Sequence, residues 1–93
     1  MTSDSDLEAA HRHSSNHRQE VLASQQCGCF YCLATFAPAD LRDWVDQDEH
    51  GVGTTALCPR CGIDSVIGSK SGVPLDETFL RRMRAYWFDR TVP

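Results

Sequence analysis

The residues with the clearest chemistry are two pairs of cysteines, each pair with a two-residue spacer. Cys29 and Cys32 form the first pair and Cys58 and Cys61 the second, with 25 residues between the pairs. A two-residue spacer lets a tight turn direct both sulfurs at one point, and two such turns supply four thiolates in a tetrahedron. Zn²⁺ favours that ligand set, so the paired motif predicts one structural zinc site.

The same four cysteines permit other chemistry. A redox Cys-x-x-Cys motif usually belongs to a βαβ unit, and the sequence shows no such unit. Iron stays open as an alternative metal, because four thiolates also suit iron. Four thiolate ligands leave no free position for water or substrate, which disfavours a catalytic zinc and makes an enzyme the less favoured class.

A fifth cysteine, Cys27, lies two residues before the first pair. Free cysteines are often buried, so the simplest interpretation is a small buried apolar residue. Two alternatives stay open. Cys27 could replace Cys29 as a ligand, or it could be a reactive thiol in a thiol-based enzyme or redox protein, with His17 as its base.

Two histidines, His13 and His17, have the i, i+4 spacing that places residues on one face of a helix. Two ligands without a third make a weak metal site. We therefore expect these side chains to lie at the surface, where they form hydrogen bonds or contact a partner. His50 lies in an acidic, glycine-containing segment and is expected to be solvated.

Length and charge limit the class of protein. A chain of 93 residues forms one small domain, whose core is usually marginal without a disulfide or a metal. The net charge of -4 argues against binding of nucleic acid or membranes by bulk charge. No long apolar run and no apolar signal segment near Met1 are present, so we expect a cytoplasmic protein, in which clustered cysteines more often bind metal than form disulfides.

The positioning elements divide at residue 26. Residues 1–26 are polar and predict a helical extension whose first residues have the composition of a disordered terminus. Residues 27–93 predict the zinc-stabilised domain, which ends in a helix at about residues 76–88. Asp76 is a suitable N-cap for that helix, and its apolar face is expected to pack on the zinc region.

Short strands are predicted around the cysteine pairs. Residues 44–45 and 55–57 predict a hairpin, and the β-branched Val66 and Ile67 favour a further strand. The fold class is therefore small α+β, a zinc-ribbon-like double knuckle with a short hairpin and flanking N-terminal and C-terminal helices. A treble clef is the alternative, in which the residues after Cys61 open a helix instead of a strand.

Several segments together resemble a family of small bacterial proteins that are usually described as cytoplasmic or hypothetical proteins. The segments are residues 13–18, residues 27–32 (CGCFYC), residues 58–68 (CPRCGIDSVIG) and residues 86–88. The resemblance implies a compact cytosolic zinc-ribbon-like protein and carries no assigned activity.

The functional expectation is a zinc-stabilised binding module that contacts another protein. The predicted metal site is saturated and no catalytic constellation accompanies it. The candidate contact residues are Arg81, Arg84 and Phe88, together with His13 and His17. The alternative is a nucleic-acid-binding zinc ribbon in which arginines contact phosphate and Tyr31 or Phe88 stacks on bases, although the net charge disfavours it.

Overall fold

Residues 4–88, the part of the chain that the computed structural model describes, form three α-helices and five short β-strands. They are α1 (Asp4–His11), α2 (Arg18–Leu22), β1 (Cys27–Cys29), β2 (Thr35–Phe36), β3 (Trp44–Gln47), β4 (Gly53–Ala56), β5 (Val66–Gly68) and α3 (Glu77–Trp87). Single 3-10 turns lie at Arg12–Ser14, Pro38–Asp40 and Ser69–Ser71. None of the described helices is long and apolar enough to cross a membrane. Residues 1–3 of the predicted N-terminal extension and residues 89–93 of the predicted domain lie outside the described residues.

The strands form two small antiparallel sheets. β1 is the central strand of the first sheet, between β2 and β5, and its Cys29 pairs with Val66. β3 and β4 form a separate hairpin in which Trp44 pairs with Ala56. The predicted small α+β class is confirmed. The segment after Cys61 forms strand β5 and not a helix.

The three-stranded sheet separates two clusters of apolar side chains, because successive residues of a strand point to opposite faces. In β5, Val66 packs in one cluster and Ile67 in the other. The first cluster contains Leu7, Ala10, Phe30, Ile67, Phe79, Leu80 and Met83. The second contains Val21, Cys27, Cys29, Ala56, Cys58 and Val66. The cysteines therefore lie across the sheet from α3.

Helix α3 is positioned by its N-cap and its apolar face. The Asp76 carboxylate accepts the N–H of Phe79 at 2.8 Å, as predicted. Phe79, Leu80 and Met83 are buried in the first cluster together with residues of α1. That cluster also contains Phe30, which lies between Cys29 and Cys32, and Ile67 of β5, so the helix packs on the predicted zinc-stabilised domain, as expected. Glycine in β1 makes this packing close, because a Cβ at Gly28 would lie 3.3 Å from a methyl group of Leu80.

The N-terminal helices contribute side chains to both clusters. Leu7 and Ala10 of α1 are buried in the first cluster, and Val21 of α2 is fully buried in the second. The indole of Trp87 donates to the Leu7 carbonyl at 3.3 Å, and its ring lies 4.0 Å from that of His11. The apolar clusters therefore extend across residue 26.

Candidate metal centre

The two cysteine pairs lie in two tight turns with the same backbone hydrogen bond. We call Cys29–Cys32 the first knuckle and Cys58–Cys61 the second knuckle. In the first, the carbonyl of the leading cysteine accepts the N–H of Leu33 at 2.9 Å; in the second, it accepts the N–H of Gly62, also at 2.9 Å. The chain therefore reverses in the same way after each pair, which directs both side chains of a knuckle to one side.

The residue after each knuckle has a left-handed backbone. At Gly62 φ is +78°, a conformation that glycine adopts without a steric penalty. At Leu33 φ is +68°, although a leucine pays about 1–2 kcal/mol for this conformation. Leu33 packs against the first apolar cluster, and that contact offsets the backbone penalty. Only the second knuckle has at this position the glycine that a left-handed backbone favours.

The knuckles bring four sulfurs together. The Sγ atoms of Cys29, Cys32, Cys58 and Cys61 all lie within 4.8 Å of one another. Between knuckles, Cys29 and Cys61 are 3.6 Å apart and Cys32 and Cys58 are 3.7 Å apart. Sulfurs bound tetrahedrally to zinc at about 2.3 Å lie about 3.8 Å from one another. The donor set and its spacing therefore fit a metal ion such as zinc, and all four cysteines are free thiols.

The four sulfurs differ in their surroundings. Cys29 and Cys58, which we call the inner pair, are buried, whereas Cys32 and Cys61, the outer pair, are partly exposed. The Cys29 sulfur lies 3.0 Å from the buried Ser65 hydroxyl, a contact between residues 36 positions apart that nothing in the sequence indicates. Both knuckles also direct backbone N–H groups at their leading sulfur.

The thiols cannot easily carry four negative charges without a cation. Burial raises the pKa of Cys32 and of Cys61, and the neighbouring Cys29 raises both pKa values further. Burial also acts to raise the pKa of Cys58, but hydrogen bonds from the N–H groups of Cys61 and Arg60, together with those from the thiols of Cys32 and Cys61, outweigh it, and this pKa falls below its usual value. A divalent cation would supply the charge that lets all four groups ionise.

Cys27 does not belong to the group of four sulfurs. Its side chain is fully buried among apolar neighbours that include Val21 and Val66. Burial raises the pKa of the Cys27 thiol to about 11. The structure thus places Cys27 as a buried apolar residue, and Cys29 occupies the ligand position that Cys27 was considered to fill.

His17 lies in the core and not at the surface, where the sequence placed it. The residue is only 5% exposed to solvent. The ring Nε2 accepts the N–H of Ala56 at 3.2 Å, and Nδ1–H donates to the carbonyl of His13. Both ring nitrogens are therefore engaged, which opposes a role as a metal ligand, as a base for Cys27 or as a partner contact.

The helical spacing of His13 and His17 is misleading because no continuous helix joins them. Arg12–Ser14 is a 3-10 turn, and Asn16 has a left-handed φ of +49°. The two rings consequently have different surroundings. The ring of His17 is buried, whereas the Nδ1 of His13 lies 3.0 Å from the carboxylate of Glu20.

Two of the predicted contact residues lie beside the first knuckle. Tyr31, between its two cysteines, is 37% exposed and meets the 41% exposed Phe88 edge to face at 4.8 Å. The guanidinium of Arg84 lies 5.3 Å from the centre of the Tyr31 ring. Arg81 instead pairs with Glu77 along the helix at 2.8 Å. We call Tyr31, Arg84 and Phe88 the knuckle patch.

Searches against family models, curated proteins and solved structures returned no significant match to this chain. The functional interpretation therefore depends on the geometry of the four sulfurs and of the surface beside them.

Proposed function

We propose that this chain is a small zinc-stabilised binding module, with Zn²⁺ held as a structural ion by both knuckles. The observation that carries the proposal is the cluster of four sulfurs at distances that suit tetrahedral zinc. Strand β5 follows the second knuckle, which favours a zinc ribbon over a treble clef. The cytosol is the compartment in which such free thiols persist.

The bound ion would join the two sheets. The first knuckle connects β1 to β2 in the three-stranded sheet, and the second follows β4 of the hairpin. A structural zinc ion can contribute on the order of 10 kcal/mol to folding. Because a whole domain is stable by about 5–15 kcal/mol, removal of the ion is expected to unfold this chain.

A binding role is favoured over catalysis. Four thiolates would complete the coordination of zinc and leave no position for substrate. His17, the base considered for a thiol enzyme, has both ring nitrogens in hydrogen bonds. Cys27 is fully buried, so its thiol has no access to a substrate.

The second part of the proposal is that the knuckle patch contacts another protein. Exposed aromatic and arginine side chains contribute much of the binding energy at protein interfaces. Tyr31 lies between two ligand cysteines, so the metal would fix its position relative to Phe88 and Arg84. The arginine favours a partner that presents acidic groups beside an apolar surface.

Affinity recovery of partners from the native cytosol tests this proposal. Wild type and Val52→Ser, a control at an equally exposed position on the hairpin, are expected to recover the same protein. Tyr31→Ser and Phe88→Ser should lose it while they keep one zinc per chain. Equal recovery by all variants would contradict the patch assignment. Binding of oligonucleotides that weakens steeply with salt would favour the nucleic-acid alternative instead.

A further inference from the structure

The outer and inner sulfurs of the metal centre differ in access. Cys32 and Cys61 are partly exposed, whereas Cys29 and Cys58 are only 0% and 3% exposed. We propose that the outer pair is a site of covalent modification, attacked first by hydrogen peroxide and by soft electrophiles. This inference depends on the proposed zinc site, because metal coordination would keep these cysteines as thiolates at neutral pH.

Hydrogen bonds, in addition to burial, make the two sulfurs of the inner pair less reactive. The Cys29 sulfur accepts the N–H groups of Tyr31 at 3.4 Å and Cys32 at 3.5 Å, and it lies 3.0 Å from the Ser65 hydroxyl. The Cys58 sulfur accepts the N–H of Arg60 at 3.4 Å. Donors that stabilise a thiolate withdraw the electron density with which it attacks, so these sulfurs are the weaker nucleophiles.

The outer sulfurs have fewer donors. Cys32 has the backbone N–H of Ala34, and Cys61 has that of Ile63. Oxidation follows thiolate character and exposure. Metal coordination would make all four sulfurs thiolates, so their exposure decides the order and favours the outer pair. In both knuckles the leading cysteine has more hydrogen-bond donors than the second cysteine, because the two turns have the same backbone hydrogen-bond pattern.

The oxidation is a two-electron step on one outer thiolate. The thiolate attacks a peroxide oxygen, an S–O bond forms as the O–O bond breaks, and hydroxide leaves, which gives a sulfenic acid. A neighbouring thiolate then attacks that sulfur, an S–S bond forms, and a second hydroxide leaves. Across the knuckles the partners lie close, Cys29 at 3.6 Å from Cys61 and Cys58 at 3.7 Å from Cys32.

Modification would reach the knuckle patch directly. Tyr31 lies in the first knuckle, and its ring contacts Phe88 and Arg84 of the last helix and its end. Loss of one thiolate ligand weakens the metal site and with it the turn that holds Tyr31. Oxidation of the outer pair would therefore release the metal and disrupt the knuckle patch.

Substoichiometric N-ethylmaleimide on the full-length, zinc-loaded chain tests the inference. Zinc per chain is measured first, and peptide mapping by mass spectrometry then locates the label among singly modified chains. Cys32 and Cys61 are expected to carry about tenfold more label than Cys29 and Cys58, because the thiolate must be accessible to react. Cys27 should stay unmodified. Substoichiometric peroxide should release zinc from the same protein.

A variant of the hydrogen bond to Cys29 sharpens the test. Ser65→Ala removes the hydroxyl, so the share of label on Cys29 should rise, whereas Ser71→Ala, which alters a hydroxyl bonded to Gly68, should leave it unchanged. Equal labelling of all four cysteines, or labelling of the inner pair first, would overturn the inference and leave the proposed function standing. A chain that binds no zinc would overturn both.

Discussion

Protonation of His17 is expected to destabilise the folded chain, because the neutral ring accepts a hydrogen bond that an imidazolium ion cannot accept. The ring Nε2 accepts the N–H of Ala56 at 3.2 Å, and Nδ1–H donates to the carbonyl of His13. Burial lowers the pKa of His17; the His13 carbonyl and the Glu20 carboxylate act in the opposite direction, and a charged His13 ring adds to the lowering.

The sign of the pH dependence follows from that shift. The unfolded ring titrates near its ordinary pKa of 6.5, and the folded ring titrates below it. Between the two values the unfolded state binds more protons, so stability falls as the pH falls. The contribution of His17 is therefore complete above about pH 6.5 and is lost as the pH approaches the folded pKa.

The hydrogen-bond geometry sets the size of the effect. A proton on Nε2 would face the Ala56 N–H inside the core, where a residue that is 5% exposed has little water to replace the lost bond. A buried donor without a partner costs about 1–3 kcal/mol. With a urea m-value of roughly 1–3 kcal/mol per molar, this corresponds to a shift of the unfolding midpoint by about 1 M.

The assay is urea unfolding at several values between pH 5.5 and 8, with zinc content followed in parallel. His17→Gln keeps an amide oxygen near the Nε2 position but cannot be protonated, so its midpoint should lack the loss below about pH 6.5. His50→Gln, at a side chain that is 78% exposed, should follow the wild type. Acid displaces zinc from thiolates in every variant, so the difference between variants isolates His17. An identical pH dependence for His17→Gln and wild type would refute this explanation.

Three further predictions concern the second knuckle, Cys27 and the N-cap of α3. Gly62→Ala and Gly51→Ala both place a Cβ at a φ of +78° with open space around it, so each should lower the free energy of unfolding by about 1 kcal/mol in a denaturant titration. Only Gly62→Ala should also weaken zinc binding in a chelator competition. Equal zinc affinities would contradict the role given to that turn. Cys27→Ala should keep one zinc per chain and lose about 1 kcal/mol from the small cavity, and a loss of metal would make Cys27 a ligand. Asp76→Ala should lower thermal stability by about 1 kcal/mol through loss of the cap on Phe79, whereas an unchanged melting temperature would contradict the capping role.

Local patterns in the sequence account for the elements that depend on neighbouring residues. The Cys-x-x-Cys spacing predicts a tight turn, and the structure contains one at each pair. The Asp76 carboxylate accepts the N–H of Phe79, three residues later, and this cap is predictable from the position of Asp76 just before the helix. Val66 and Ile67 form strand β5, as expected for β-branched residues on a buried sheet.

Features that depend on distant residues were misjudged or missed. His17 has a polar side chain in a polar segment, yet its ring is buried because Ala56, 39 residues away, supplies the N–H that it accepts. Ser65 reaches Cys29 over 36 residues. Leu33 adopts a left-handed backbone that its residue type opposes, since packing in the first apolar cluster offsets the local cost. No short-range pattern encodes these contacts.

The sequence also does not indicate on which side of the three-stranded sheet α3 packs. The apolar face of the helix is clear, but its partner depends on which way each strand residue points. In β1 both cysteines face one side, and Gly28 leaves the other side open to Leu80. The sheet consequently divides the core into two clusters.

Zinc analysis of the untagged protein, combined with single Cys→Ser variants, tests the central claim most directly. The wild type and Cys27→Ser should each contain one zinc per chain. Cys29→Ser, Cys32→Ser, Cys58→Ser and Cys61→Ser should each lose the metal or bind it far more weakly, because every one of these sulfurs lies within the same 4.8 Å cluster. A folded wild-type chain that carries no metal would contradict the account.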